Sequence, residues 1–287
     1  MSFEVIEKQL DEAAVDTLVK SISIPPRPSL LEDIQQEMKK DDPDMRRIAS
    51  IAGRDVALSA AVMRVVNSPF FGLSRRAETM DQAVAMLGLR QMGALITGMV
   101  AREAIKGDGP SLTRFWDVST KRSFAMQHLA RKLRGVEPDI AQTFGLFCDL
   151  GIPLLSQRFP DYMQTLAVAN LDETRSFTAV EQEKHKTDHA LIGALMARTW
   201  GLSQTVALAI RVHHDYSVFN DVGVPTPVRR LVAMGVLAER IIQRYAGLNR
   251  SAEWEKGGTG AMELLDIIES DLDELSDSIH DAFNAGV

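Results

Sequence analysis

The stretch Gly145-Leu146-Phe147-Cys148-Asp149-Leu150-Gly151 sets one acidic side chain inside an apolar run extending from Phe144 to Leu155. A carboxylate buried in such a run must be paired or hydrogen-bonded, because a lone charge is too costly to desolvate. The run therefore predicts a core segment whose Asp149 meets a polar partner from elsewhere in the chain.

Outward from this point, almost every segment has helical periodicity. Leu89, Met92, Leu95, Ile96, Met99 and Val100 recur at spacings of three and four, which places them on one helix face. Ser29-x-x-Glu32, Thr79-x-x-Gln82 and Thr178-x-x-Glu181 read as capping boxes. Pro43 and Pro138 suit a first helical turn, and Gly88 and Gly135 suit helix ends. No stretch alternates long enough to argue for a sheet, so the predicted class is all-α. Gly107-Asp108-Gly109-Pro110 is the best internal boundary. It divides an N-terminal helical lobe, residues 1–110, from a second helical lobe, residues 111–255, and all six histidines follow it.

Residues 256–287 form a third region. Lys256-Gly257-Gly258-Thr259-Gly260 reads as flexible, and it is no phosphate loop because no Lys-Ser/Thr follows the glycines. Beyond it, Leu264, Ile268, Leu272, Leu275, Ile279 and Phe283 form an apolar stripe opposite Asp and Glu. That pattern predicts an amphipathic acidic helix, packed either on its own body or on a partner, a homodimer included.

Net charge is −7, and residues 261–287 carry eight acidic side chains and no Lys or Arg. The other 260 residues therefore sum to +1, the difference between −7 and −8. A nearly neutral body with an acidic tail argues against nucleic acid as a partner. No apolar run approaches the ~20 residues of a membrane span, and the N-terminus lacks a basic and apolar leader pattern. The single cysteine, Cys148, excludes an internal disulfide framework and fits a reducing compartment, so the expected location is cytoplasmic. A lone buried cysteine is expected to be an inert small hydrophobe.

The metal-capable residues of the second lobe are Asp149, His185, Asp188, His189, His213 and His214. His185 and His189 share a face if both lie on one helix. Imidazoles with carboxylates suit Mn, Fe or Zn.

The chain resembles the HDOD domain of bacterial signalling proteins. The resemblance is carried by Ile24-Pro25-Pro26-Arg27-Pro28-Ser29-Leu30, by Asp55-Val56-Ala57-Leu58, and by Arg64-Val65-Val66-Asn67-Ser68-Pro69-Phe70-Phe71-Gly72. It continues through Ala83-Val84-Ala85-Met86-Leu87-Gly88, Phe115-Trp116, the Gly145–Gly151 stretch, Asp188-His189-Ala190-Leu191-Ile192-Gly193 and Arg211-Val212-His213-His214. It covers residues 20 to 215. The element from Asn67 to Gly72 also has a purely structural reading as a helix end, a turn and an aromatic wedge.

The resemblance implies an all-α, two-lobe architecture whose C-terminal half is related to HD phosphohydrolases, which hydrolyse phosphoesters with a metal-activated water. Asp149, His189 and His213 match the metal-binding positions. The chain departs from the active pattern twice: Val118 stands where the first histidine is expected, and Cys148 replaces the histidine of the His-Asp pair. His213-His214-Asp215-Tyr216 followed by Gly223-Val224-Pro225 does not reproduce the HD-GYP turn. The expected function is a non-catalytic signal-transduction module acting through protein partners or a small ligand, with no cofactor. The alternative is a metal-dependent phosphohydrolase, cleaving a nucleotide or cyclic dinucleotide with Mn, Fe or Zn on an atypical site. On the non-catalytic reading Asp149 pairs with His189 or His213 without a metal, whereas on the alternative the three residues bind the metal.

Overall fold

The computed structural model describes the chain apart from residues 1, 2, 16, 69, 70, 72, 74, 106–109, 249, 250, 286 and 287. Among the described residues there are helices and turns and no strand. The N-terminal half contains Phe3–Val15 (α1), Thr17–Lys20 (α2), Ser29–Met38 (α3), Met45–Gly53 (α4), Val56–Val66 (α5), Met80–Leu87 (α6) and Leu89–Ala104 (α7). The second half contains Pro110–Leu133 (α8), Pro138–Phe147 (α9), Gly151–Arg158 (α10), Tyr162–Leu171 (α11), Phe177–His185 (α12), His189–Thr199 (α13) and Gln204–Val212 (α14). A 3-10 turn, Tyr216–Asn220, then leads to Thr226–Tyr245 (α15), Ala252–Leu265 (α16) and Glu269–Asn284 (α17). No single helix is long and apolar enough to cross a membrane; α6 and α7 pass such a test only together and are bent by 117°.

Two apolar cores result. One joins Ile34 to Val100 and is built by α3 to α7. The larger one gathers α8 to α17 and also takes Ile6, Leu10, Val19, Ile22 and Leu31. Ile6, Leu10, Val19, Ile22 and Leu31 therefore pack with the helices of the second half. The reason is the apolar face of α1, which packs on α13 and α14 as well as on the neighbouring α2. The fully buried Trp200 fastens the crossing, donating from Nε1 to the Pro25 carbonyl (2.9 Å) and accepting at its own carbonyl from Gln35 (2.9 Å). The predicted boundary at Gly107-Asp108-Gly109 lies outside the described residues; Pro110 begins α8.

Local signals were read with mixed success. Thr79 caps α6 through the Gln82 amide (3.2 Å), Pro138 opens α9, and Gly88 takes a φ of +80° between α6 and α7. The other two capping boxes do not form. Pro28 precedes α3 and Glu32 turns instead to Arg27 (2.5 Å). Ser176 caps α12, while Glu181 is buried and serves a different purpose. Asn67 brackets Ala77, donating to its carbonyl (2.9 Å) and accepting from its amide (2.7 Å), and Phe71 meets Phe124 edge-on. That supports the structural reading of these two residues; Pro69, Phe70 and Gly72 lie outside the described set.

The glycine stretch expected to be flexible is helical, inside α16. A Cβ on Gly257 would lie 2.8 Å from the Tyr216 ring, and one on Gly260 3.0 Å from Phe219. The glycines let α16 approach the 3-10 turn closely, so their absent side chains serve packing rather than freedom. The acidic stripe is likewise not one helix: α16 ends at Leu265 and Asp266 takes a left-handed conformation. Leu272, Leu275, Ile279 and Phe283 are buried as α17 docks on α15 and α8 of the same chain, while Ile268 stays exposed.

Candidate functional site

Three chain breaks bring the site together. Cys148 ends α9 and Asp149 lies in the turn before α10, not within a helix. His189 is the first residue of α13, whose amides are capped by Asp188. His213 closes α14 and His214 follows it. The glycines flanking the Cys-Asp pair allow this approach. A Cβ on Gly145 would lie 2.9 Å from the Arg122 carbonyl on α8, and one on Gly151 would lie 2.1 Å from the His189 carbonyl on α13.

Asp149 Oδ1 faces His213 Nε2 at 3.3 Å and His189 Nε2 at 3.6 Å, and the two Nε2 atoms are 3.2 Å apart. The far sides of both rings are held, His189 Nδ1 by Glu181 (2.7 Å) and His213 Nδ1 by the Ile210 carbonyl (2.7 Å). Such backing orients a ring whether it faces a metal or a carboxylate. Asp149, His189, His213 and His214 form one group of convergent ligand atoms. His185 and Asp188 are not part of it. Lys186, left-handed at φ 59°, separates the helices of His185 and His189. His185 pairs with Thr165 (2.8 Å), and Asp188 serves its helix cap.

Sequence reasoning missed Arg122. Its guanidinium lies 2.7 Å from Asp149 Oδ2, 3.2 Å from Glu239 and 3.0 Å from Cys148 Sγ. It projects from α8 one turn beyond Val118, the position without its histidine. The available signal was a basic residue one helical turn from the lost ligand, leading into the apolar Phe124-Ala125-Met126. Also missed was Glu181, which accepts from Tyr162 as well as His189. A continuous polar chain thus runs from the buried Tyr162 through Glu181, His189, Asp149 and Arg122 to the partly exposed Glu239.

The charges follow from these contacts. Burial alone would raise the Asp149 pKa, but the Arg122 guanidinium and the two imidazoles outweigh it and hold it well below the carboxylate range. Burial opposes protonation of His189, yet Glu181 and Asp149 raise its pKa to about 10. His213, buried beside His214 and His189, is pushed down to about 4. Burial pushes the Cys148 thiol up to about 12, only partly offset by Arg122. It is a neutral thiol, not a reactive thiolate.

A pH profile follows. His189 is raised above its unfolded value of about 6.5, so its contribution is complete below that pH and lost as pH rises towards 10. His213 is depressed, so its contribution is present above pH ~6.5 and lost as pH falls towards 4. The thermal midpoint should therefore peak near pH 6.5 and decline on both sides, with His189→Gln flattening the alkaline limb. An unchanging midpoint between pH 6 and 9 in the unsubstituted protein would refute this assignment.

His214 is tied down separately. It stacks on Phe177 with centroids 4.8 Å apart and bonds Glu253 of α16 through Nδ1 (2.7 Å). Glu253 also accepts from Tyr216 (2.5 Å) and pairs with Lys256. A cavity of about 220 Å³ opens beside Asp149, its outer wall formed by Glu239, Arg240, Gln243 and Trp254.

The donor set does not fit a hydrolytic divalent centre. Val118 offers no lone pair, Cys148 is a neutral thiol, and a guanidinium already neutralises Asp149. Two unit charges ~4 Å apart repel by about 4 kcal/mol at an effective dielectric of 20, and a divalent ion doubles this. Arg122 holds Asp149 Oδ2, so a metal on Oδ1 between the imidazoles would lie beside that guanidinium.

An all-helical lobe with a His-Asp cluster at its helix junctions defines an HD-type architecture. The HDOD domain family pattern matches residues 24–216, and the chain belongs to that family. Its fold is similar to a protein of Shewanella amazonensis provisionally named a phosphohydrolase, with a TM-score of 0.71 and 22% identity, covering 99% of this chain and 96% of that one. It is also similar to a protein of Marinobacter aquaeolei provisionally named a signal transduction protein, with a TM-score of 0.71 and 20% identity, covering 98% of this chain and 65% of that one. An uncharacterized protein of Treponema pallidum is 26% identical over 212 residues, 73% of this chain and 41% of that protein. The chain thus spans less than half the length of that relative.

Proposed function

We propose that this chain is a bacterial cytoplasmic signalling module that hydrolyses no phosphoester and acts through contacts with other proteins. The observation that carries the reading is the seat of Arg122 on Asp149, where a cation of the protein's own takes the charge-balancing role of a metal. The neutral Cys148 and the apolar Val118 support it. Family membership and the printed name of the Marinobacter neighbour are consistent with signalling. The alternative, a metal-dependent phosphohydrolase, is favoured by one observation, the convergence of Asp149, His189 and His213 with both rings backed.

The test is hydrolysis of bis-p-nitrophenyl phosphate, nucleotides and cyclic dinucleotides with added Mn²⁺. The expected result is no turnover above buffer. Turnover by the unsubstituted protein that Asp149→Ala abolishes would establish the alternative. A Val118→His/Cys148→His variant no more active than an already active parent would show that those positions were misread.

A further inference from the structure

A second cavity, about 250 Å³, lies where the two lobes meet. Helices α5 and α7 form one side, and α8 and α9 the other. Its body is apolar, with Leu95, Met99, Trp116, Phe124 and Leu146 on the walls. Its charged lining is one-sided: Arg64 and Arg102 are present beside the neutral Ser68, Thr120, Ser123 and Gln142, and no Asp or Glu lines it. Both arginines are solvent-exposed, and neither has an ion pair or side-chain hydrogen bond among the described residues, so their guanidiniums are free to meet a ligand at the cavity. Ser68 Oγ, one helical turn from Arg64, is buried and has no hydrogen-bond partner. A buried hydroxyl without a partner costs free energy that a bound acceptor recovers.

Arg64 and Ser68 belong to the sequence element that also holds Asn67. Asn67 is accounted for by its bracket on Ala77, whereas Arg64 and Ser68 contribute nothing visible to the fold. Two guanidiniums without an ion pair and an unsatisfied hydroxyl on a largely apolar cavity are complementary to one class of ligand. We propose that the cavity between the lobes binds a small organic anion, with its carboxylate, sulfonate or phosphate group against Arg64, Arg102 and Ser68 and an aromatic or aliphatic body against Trp116, Phe124 and Leu146. Typical ligand clefts enclose roughly 300–1,000 Å³, so the body is a small one of no more than about three rings. The site is independent of whether the Asp149 cluster is catalytic. It shares α8 and α9 with that cluster, since α8 carries Trp116 to one cavity and Arg122 to the other.

The probes are 8-anilinonaphthalene-1-sulfonate and its uncharged analogue N-phenyl-1-naphthylamine, which share an aromatic body and differ in the anionic group. Fluorescence titration of the full chain should give saturable binding of one sulfonate per chain, about ten-fold tighter than the neutral dye, the ratio expected of about one charge-assisted contact. Arg64→Ala/Arg102→Ala should erase that preference and leave binding of the neutral dye and the far-ultraviolet circular dichroism unchanged. Equal affinity for the two dyes in the unsubstituted protein overturns the proposal. So does a sulfonate preference that survives the double substitution, or one lost in Arg240→Ala, which lines only the other cavity.

Discussion

Replacing Arg122 by alanine is expected to lower stability by about 3–5 kcal/mol, the usual cost of removing one partner from a buried ion pair. The side chain is 8% exposed, and its loss leaves Asp149, 18% exposed, without its cation. At roughly 2–3 °C per kcal/mol for a chain of this size, the thermal midpoint should fall by about 6–15 °C. The effect should be coupled: on an Asp149→Asn background, Arg122→Ala should cost much less, because the charge it balances is gone. Arg122→Lys should rescue only in part, since a single ammonium cannot span Asp149, Glu239 and the Cys148 sulfur as a planar fork does. Urea denaturation of the four forms measures this. Additive losses would show that Arg122 acts by packing and not by pairing.

Gly151→Ala should be comparably damaging, at about 3 kcal/mol or more. The added Cβ would stand 2.1 Å from the His189 carbonyl oxygen and 2.7 Å from its Cα. These are backbone atoms of α13, so no side-chain rotation relieves the clash and α10 must move away. Asp149 and His189 would separate with it. Gly53→Ala supplies the contrast, because a Cβ there meets nothing within 4 Å. It should be neutral or stabilising by a few tenths of a kcal/mol. Equal urea midpoints for Gly151→Ala and the parent would mean that α10 and α13 are not locked at this contact.

These two residues show how far the sequence could be read. The helical class follows from apolar spacing, which is local, and so does the cap at Thr79. The convergence of Asp149, His189 and His213 was anticipated through the family resemblance. Each was a small set of polar residues in an apolar context. What escaped reading depended on contacts between distant segments. Glu181 looked like the far end of a capping box because its spacing from Thr178 fits one, yet a buried His189 eight residues on competes better for its carboxylate. Arg122 follows Lys121 and carries no local signal of its role; only the folding of α8 against α9 places it on Asp149. The glycines at 257, 258 and 260 read as flexible because glycine adopts turns, and nothing local reveals that Tyr216 and Phe219 need the space. The apolar face of α1 was visible in principle, but its docking on α13 and α14 joins residues nearly 190 positions apart.

The central claim is that Arg122 stands in for a metal at the HD position. Its most direct test is the metal content per chain of protein purified without chelator or affinity metal. The expected value is well below one equivalent of Mn, Fe and Zn combined, in a protein that is fully folded. One or more equivalents, lost on Asp149→Ala, would contradict it.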